Sequence, residues 1–174
     1  MSDPTRVLIE TELGEIELEI DEERAPGTAS SFLRYVDGGF YDGGLWHRTV
    51  LPDNQPDNDV RIEVIQGGIN PDRDDERFGP IPLERTTATG LAHLDGTVSM
   101  ARFEPDSAVS DIFICIGDQP TLDFGGPRNP DGQGFAAFGQ ATRGMDVVRA
   151  IQRSAHEEQH LTPSIEINRV RRVD

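Results

Sequence analysis

The chain has 174 residues, 35% of them apolar and 28% charged, and a formal net charge of −16. That length suits one domain, spanning 1–174, with a sizeable core of its own. No apolar run approaches the roughly 20 residues that cross a bilayer, and so negative a surface repels phosphate backbones, so neither a membrane nor nucleic acid is an expected partner. The opening segment, Met1 to Arg6, lacks the charged and then apolar regions of a secretory signal, so a cytoplasmic location is expected, or else a chain from which a signal has been removed. All 16 basic residues are Arg, a bias that codon usage or a salt-adapted surface would each produce. The single Cys115 lies inside Ile112-Phe113-Ile114-Cys115-Ile116 and reads as a buried structural thiol, not a nucleophile.

In chain order, Arg6 to Thr11 reads as a strand. Glu15 to Ile20 alternates strictly, which marks a second strand with one wet face and one buried face, and Leu13-Gly14 turns one into the other. The three glutamates of that strand belong to its solvated face. Pro26 opens a helix at the position where its missing N–H costs nothing. Phe32, Tyr35 and Val36 form its apolar stripe, and Gly38-Gly39 stops it.

Next come a strand over Leu45 to Val50, a polar acidic insert over Leu51 to Arg61, and a strand Val64-Ile65-Gln66-Gly67-Gly68. Asn70 to Gly90 is a long connection. Its Asp72, Asp74, Asp75 and Glu76 raise calcium, but the EF-hand spacing is missing and a solvated loop is expected. Thr97 to Ala101 and Asp111 to Ile116 are further strands. Leu122 to Gly134 is a turn-rich loop. Phe135 to Gly139 is a strand, a second helix starts near Arg143, and Ile165 to Val170 alternates and closes the chain. About eight short strands with a helix near each end favour a closed antiparallel barrel whose two α-helices plug its ends.

Several short motifs stand in order along this pattern: Phe40-Tyr41-Asp42-Gly43, Trp46-His47-Arg48, Gln66-Gly67-Gly68, Ser99-Met100-Ala101, Phe113-Ile114-Cys115 and Phe138-Gly139. Together they resemble the cyclophilin-type peptidyl-prolyl cis-trans isomerases over nearly the whole chain. Gly134 to Gly139 and Gly144 to Val148 look like bacterial members. The resemblance implies a mainly β, eight-stranded barrel, no cofactor, and a groove that takes proline-containing peptides and unfolded or folding proteins.

Carried over position by position, Arg48 matches the catalytic arginine and Gln66 the glutamine that holds the substrate backbone. His47, Ala101 and Phe113 match groove residues, with Phe113 placed beside the catalytic pair. Leu122 matches the leucine of the proline pocket, where Val64 replaces the usual methionine. Other positions depart from the family. Glu63 stands where a phenylalanine packs on the proline, and either pairs with Arg48 or yields the role to Ile62. Asp111 replaces a glutamine on the groove floor. Arg102 and Phe103 replace a small polar residue and an alanine, with the Arg102 backbone expected to pair with the peptide. Phe135 replaces a histidine. Thr121 replaces the tryptophan used to bind cyclosporin, so weak cyclosporin binding is expected. Asp53, Asp57 and Asp59 of the insert are expected near the groove.

Two other readings follow from the residues. A degraded site would leave a non-catalytic binder of proline-containing segments. His156-Glu157-Glu158-Gln159-His160 matches the H-E-x-x-H signature of zinc hydrolases, which needs both histidines on one helical face. The stretch is polar, follows the second helix and meets Pro163 at once, so no metal is expected there.

Overall fold

The computed structural model describes residues 4–173. Nine strands form one sheet: β1 (Thr5–Thr11), β2 (Gly14–Ile20), β3 (Gly44–Val50), β4 (Val64–Gly68), β5 (Thr97–Met100), β6 (Ile112–Cys115), β7 (Ala137–Arg143), β8 (His156–Glu157) and β9 (His160–Val173). The order is β1-β2-β7-β5-β6-β4-β3-β9-β8, and β1 also pairs with β9. That last pairing closes eight strands into an antiparallel barrel, which leaves the two-residue β8 as the outer arm of a hairpin on β9. Closure removes the exposed edges that would otherwise invite pairing with other chains.

The alternation in β2 sorts as its sequence requires. Ile16, Leu18 and Ile20 are buried in the barrel core, while Glu17 and Glu19 face outward, within 3.6 Å of Arg143 and 4.0 Å of Arg6 respectively. Helix α1 (Pro26–Asp37) buries Phe32, Leu33, Tyr35 and Val36. Helix α2 (Thr86–Thr89) is a single turn in the long connection, and α3 (Met145–Gln152) buries Val148, Ile151 and Gln152. The two longer helices are the expected plugs. A one-turn helix and a 3-10 segment at Pro71–Glu76 were not legible in the Pro- and Gly-rich connection.

Several boundaries lie away from those the sequence predicts. β7 starts at Ala137 rather than Phe135 and runs on to Arg143, so the second helix starts at Met145, behind a left-handed Gly144 at φ 96°. β9 reaches back to His160, because its first residues find partners in both β3 and β8.

A second, smaller apolar cluster sits apart from the barrel interior. It contains Val50, Ile62, Val64, Phe113, Cys115 and Leu122, with Ala101 and Phe135 packed against it. The strands therefore carry apolar side chains on both faces here: Ile65 and Ile114 point into the barrel, Val64 and Phe113 to the outside.

Candidate active site

The outer cluster forms the wall of a cleft of about 440 Å³, bordered by Arg48, Gln66, Arg102, Asp111 and Arg128. A break in register puts Arg48 on this side. Trp46 pairs with Gly67, and Arg48 pairs with Gln66, so two steps on β3 match one step on β4. The extra residue is His47, a β-bulge. In a regular strand Arg48 would share the face of Trp46, which is fully buried in the core. The bulge inverts the alternation and brings Arg48 out beside Gln66. Gly67 permits the close approach, since a Cβ there would stand 2.6 Å from Trp46 Cε3.

Arg48 is held on two sides. Its Nη1 donates to Gln66 Oε1 at 2.8 Å, while Nε and Nη2 donate to Gln159 Oε1 at 2.9 and 2.7 Å. Both acceptors are neutral amides, and Arg48 forms no ion pair among the described residues. Burial pulls its pKa below the ordinary arginine value, but a guanidinium so shifted is still a cation at neutral pH. Gln66 Nε2 donates to Asp111 Oδ2 at 3.1 Å, and His47 Nε2 lies 3.1 Å from the same oxygen. This fixes the Gln66 amide with its oxygen toward Arg48. An amide nitrogen carries two N–H groups, so a second remains for a peptide carbonyl.

Phe113 lies edge-on to Phe135, with centroids 5.6 Å apart and planes at 90°, and is stacked on His93 at 6.0 Å. His93 is fully buried. Its Nδ1 meets Asp123 Oδ1 at 2.7 Å and its Nε2 meets Ser99 Oγ at 2.9 Å. Ser99, His93 and Asp123 have the connectivity of a hydrolase triad. Ser99 and His93 are both 0% exposed, however, so no substrate reaches the hydroxyl and the line acts as a prop under Phe113.

The cleft gathers most of the expected residues: Arg48, Val64, Gln66, Ala101, Arg102, Phe103, Asp111, Phe113, Leu122 and Phe135 all border it. His47 stands behind, against Asp111. Glu63 and Thr121 are not on its lining. Glu63 faces α3, where its Oε1 accepts from Gln152 Nε2 at 3.2 Å, and it does not pair with Arg48. The reason is parity: Ile62, Val64 and Gln66 share one side of an extended chain, and Glu63 and Ile65 share the other. Ile62 supplies the apolar contact. Thr121 has its hydroxyl buried without a partner, and its carbonyl accepts from Arg128 N at 3.2 Å.

Arg102 is engaged through its side chain. It makes a bidentate pair with Asp131 at 2.9 and 3.1 Å, donates to Gly134 O, and lies 4.7 Å from the Phe135 ring centroid. It therefore ties the 122–134 loop to the cleft wall. Phe103 is 92% exposed at the rim.

The insert is tied down. Gln55, 2% exposed, donates to Leu51 O and Ile62 O and accepts from Arg128 Nη1 at 2.7 Å. A second cavity of about 820 Å³ opens on the far side of Arg48, with Asp53, Asp57, Glu158 and His160 on its border. Asp59 does not border either cavity.

The H-E-x-x-H stretch is a hairpin, not a helix. Glu157 pairs with His160 across β8 and β9, and Glu158 takes φ 56° at the turn. The two histidines therefore do not share a helical face. Among the described residues no group of three or more His, Cys, Asp or Glu is placed to hold a metal ion. Ile62 takes the role offered to it as the alternative to Glu63, in keeping with the period-two spacing of Ile62, Val64 and Gln66. Arg128 and Gln159 are site residues that the sequence does not point to, since nothing local marks them.

Fold and site define a closed β-barrel whose outer wall carries an apolar-walled cleft with the guanidinium of Arg48 held at its edge by two neutral amides. The family described as cyclophilin type peptidyl-prolyl cis-trans isomerase/CLD matches residues 6–172, and the chain belongs to that family. It is 38% identical over 148 residues to peptidyl-prolyl cis-trans isomerase A of Dickeya dadantii (strain 3937), covering 84% of this chain and 70% of that one. It is 36% identical over 147 residues to peptidyl-prolyl cis-trans isomerase cyp18 of Streptomyces antibioticus, covering 84% and 82%. Among solved structures it is similar to a cyclophilin type peptidyl-prolyl cis-trans isomerase of Cryptosporidium parvum, with TM-score 0.77, 18% identity and 99% of both chains covered.

Proposed function

We propose that Arg48 is the catalytic residue of a peptidyl-prolyl cis-trans isomerase site and that the cleft beside it takes Xaa-Pro segments. The observation that carries this is the guanidinium itself, turned outward by the His47 bulge and bound to two neutral amides next to an apolar wall.

The chemistry sets the requirement. Delocalisation of the nitrogen lone pair gives the prolyl amide a barrier of about 18–20 kcal/mol. Uncatalysed exchange takes tens to hundreds of seconds, so roughly 1.4 kcal/mol of barrier lowering is a tenfold gain in rate. No nucleophile and no net proton transfer are needed. As the bond twists, the proline nitrogen becomes pyramidal and its lone pair becomes an acceptor. Arg48 donates to it then and hardly at all in the planar state, and that difference is what accelerates a reaction. A charge already paired with a carboxylate would have less to give.

The remaining residues serve orientation. The free N–H of Gln66 holds a substrate carbonyl. Phe113, Leu122, Val64, Ile62 and Phe135 grip the pyrrolidine ring while the acyl side turns. Asp111 and His47 keep Gln66 in place. Arg102 sets the loop, its backbone remains a partner for the flanking peptide, and Phe103 offers an exposed face at the rim. Folding proteins are the substrates this reading implies, and the −16 net charge steers those carrying Arg or Lys. A solved relative from Cryptosporidium parvum was determined in the presence of the dipeptide Ala-Pro, which supports a proline-sized pocket. Thr121, where the family uses tryptophan, predicts weak cyclosporin binding.

Exchange on an Ala-Pro peptide, followed by NMR, tests the proposal. Wild type accelerates exchange and Arg48→Ala loses most of the gain while still binding. If the two proteins bind the peptide alike and neither accelerates exchange, the chain is a non-catalytic binder of proline-containing segments.

A further inference from the structure

We propose that Gln159 is a positioning residue for Arg48, and that the insert between Leu51 and Arg61 serves to hold Gln159 in register. This deepens the reading of Arg48 as the catalytic group and rests on it.

A guanidinium ends a chain of freely rotating bonds. Unless the protein fixes it beforehand, the cost of ordering it falls on the transition state. Gln66 alone fixes one nitrogen. Gln159 takes two more, Nε and Nη2, on a single oxygen. Contacts on opposite edges set the plane of the group and stop rotation about its last bonds. The edge held by Gln66 faces the cleft, and the edge held by Gln159 faces away from it.

Gln159 is itself oriented. Its Nε2 donates to Asn54 O at 3.1 Å, which forces Oε1 toward Arg48. Asn54 belongs to the insert and is tied at three points. Its Oδ1 accepts from Leu51 N at 2.7 Å, and its Nδ2 donates to Thr49 O and Glu158 O, both at 3.0 Å. It thereby joins the end of β3 to the β8–β9 turn. Thr49 N donates to Gln159 O at 2.9 Å and fixes the backbone of Gln159 to the same strand that carries Arg48.

The choice of an amide has a second effect. A carboxylate at 159 would hold the guanidinium as firmly but would pair its charge. Gln159 positions the group and leaves the charge for the substrate.

The test is a double-mutant cycle on full-length protein, with Ala-Pro peptide exchange by NMR as the readout. Gln159→Met keeps the length and removes the one oxygen that accepts both Arg48 hydrogen bonds, together with the Nε2 donor to Asn54 O. It is expected to lower kcat about tenfold with KM unchanged, and to add no loss in the Arg48→Ala background. Gln159→Asn, which withdraws the amide by one methylene, gives a smaller loss and serves if the Met variant folds poorly. Equal losses from Gln159→Met in both backgrounds would show a general structural role and overturn the inference. So would an unchanged kcat in the presence of an inactive Arg48→Ala. An Arg48→Ala protein as active as wild type would overturn the Arg48 reading, and this inference with it.

Discussion

Ile62 and Glu63 are adjacent in the chain and face opposite ways. Ile62 lines the cleft, and Glu63 accepts a hydrogen bond from Gln152 of α3. The contact that Glu63 was expected to occupy is therefore made one residue earlier. Ile62→Ala is expected to raise KM for a prolyl peptide several-fold and to cost about 2–4 kcal/mol of stability, since it empties a buried apolar site. Glu63→Gln keeps an acceptor for Gln152 and is expected to leave kcat/KM within about twofold of wild type. Steady-state kinetics with urea unfolding reads both. A larger kinetic effect from Glu63→Gln than from Ile62→Ala would contradict the facing described here.

Arg48→Lys separates charge from geometry. The ammonium keeps the cation but cannot span Gln66 and Gln159 from one plane. Its expected cost is about 10- to 100-fold in kcat, roughly 1.4–2.7 kcal/mol of transition-state stabilisation. Peptide affinity, measured by titration, should change little, because the apolar wall is intact. A Lys variant with wild-type turnover would mean that charge alone suffices.

Arg102 and Asp131 link the loop to the cleft, and the link depends on pH. The hydrogen bond from Arg102 holds the Asp131 carboxyl below its usual range, against a smaller opposing effect of burial. A carboxylate depressed in the folded state adds stability above its unfolded pKa, about 3.9, and loses it as pH falls through the folded value. Asp131→Asn should therefore be less stable than wild type at pH 7. The gap should begin to shrink below pH about 4, where the unfolded carboxyl protonates, and vanish only once the pH has fallen through the lower folded value. Urea unfolding at pH 7 and pH 3 measures it. A gap that widened on acidification would have the wrong sign for this linkage.

Much of the barrel was legible because alternation survives in strands with one wet face: Glu15 to Ile20 sorted as read. The helix stripe Phe32, Tyr35 and Val36 was legible for the same reason at a period of 3.6. The resemblance puts Arg48 and Gln66 at one groove, but the strand alternation alone does not turn Arg48 outward. That depends on the His47 bulge, and Leu45 to Val50 carries no Gly or Pro to mark one. The Gln159 contact joins residues 111 apart and has no local signal. Tertiary pairing also overrode a helix motif at His156 to His160, where β3 and β9 drew the stretch into a hairpin.

Cys115 reports on the cleft wall. It is fully buried in the same cluster as Phe113 and Leu122. Burial, and then the negative charges of Asp123 and Asp95, push its thiol well above the ordinary range. Thiolate is the reactive form, so both access and ionisation oppose modification. In native protein at pH 8, Ellman's reagent should find almost no thiol, and one per chain in denaturant. Because the wall must open before the reagent enters, a variant that loosens it, such as Ile62→Ala, should react faster than wild type well below its unfolding midpoint. Rapid, complete labelling of the native protein would show that the apolar cluster under the cleft is not the packed wall on which the proline ring is proposed to rest.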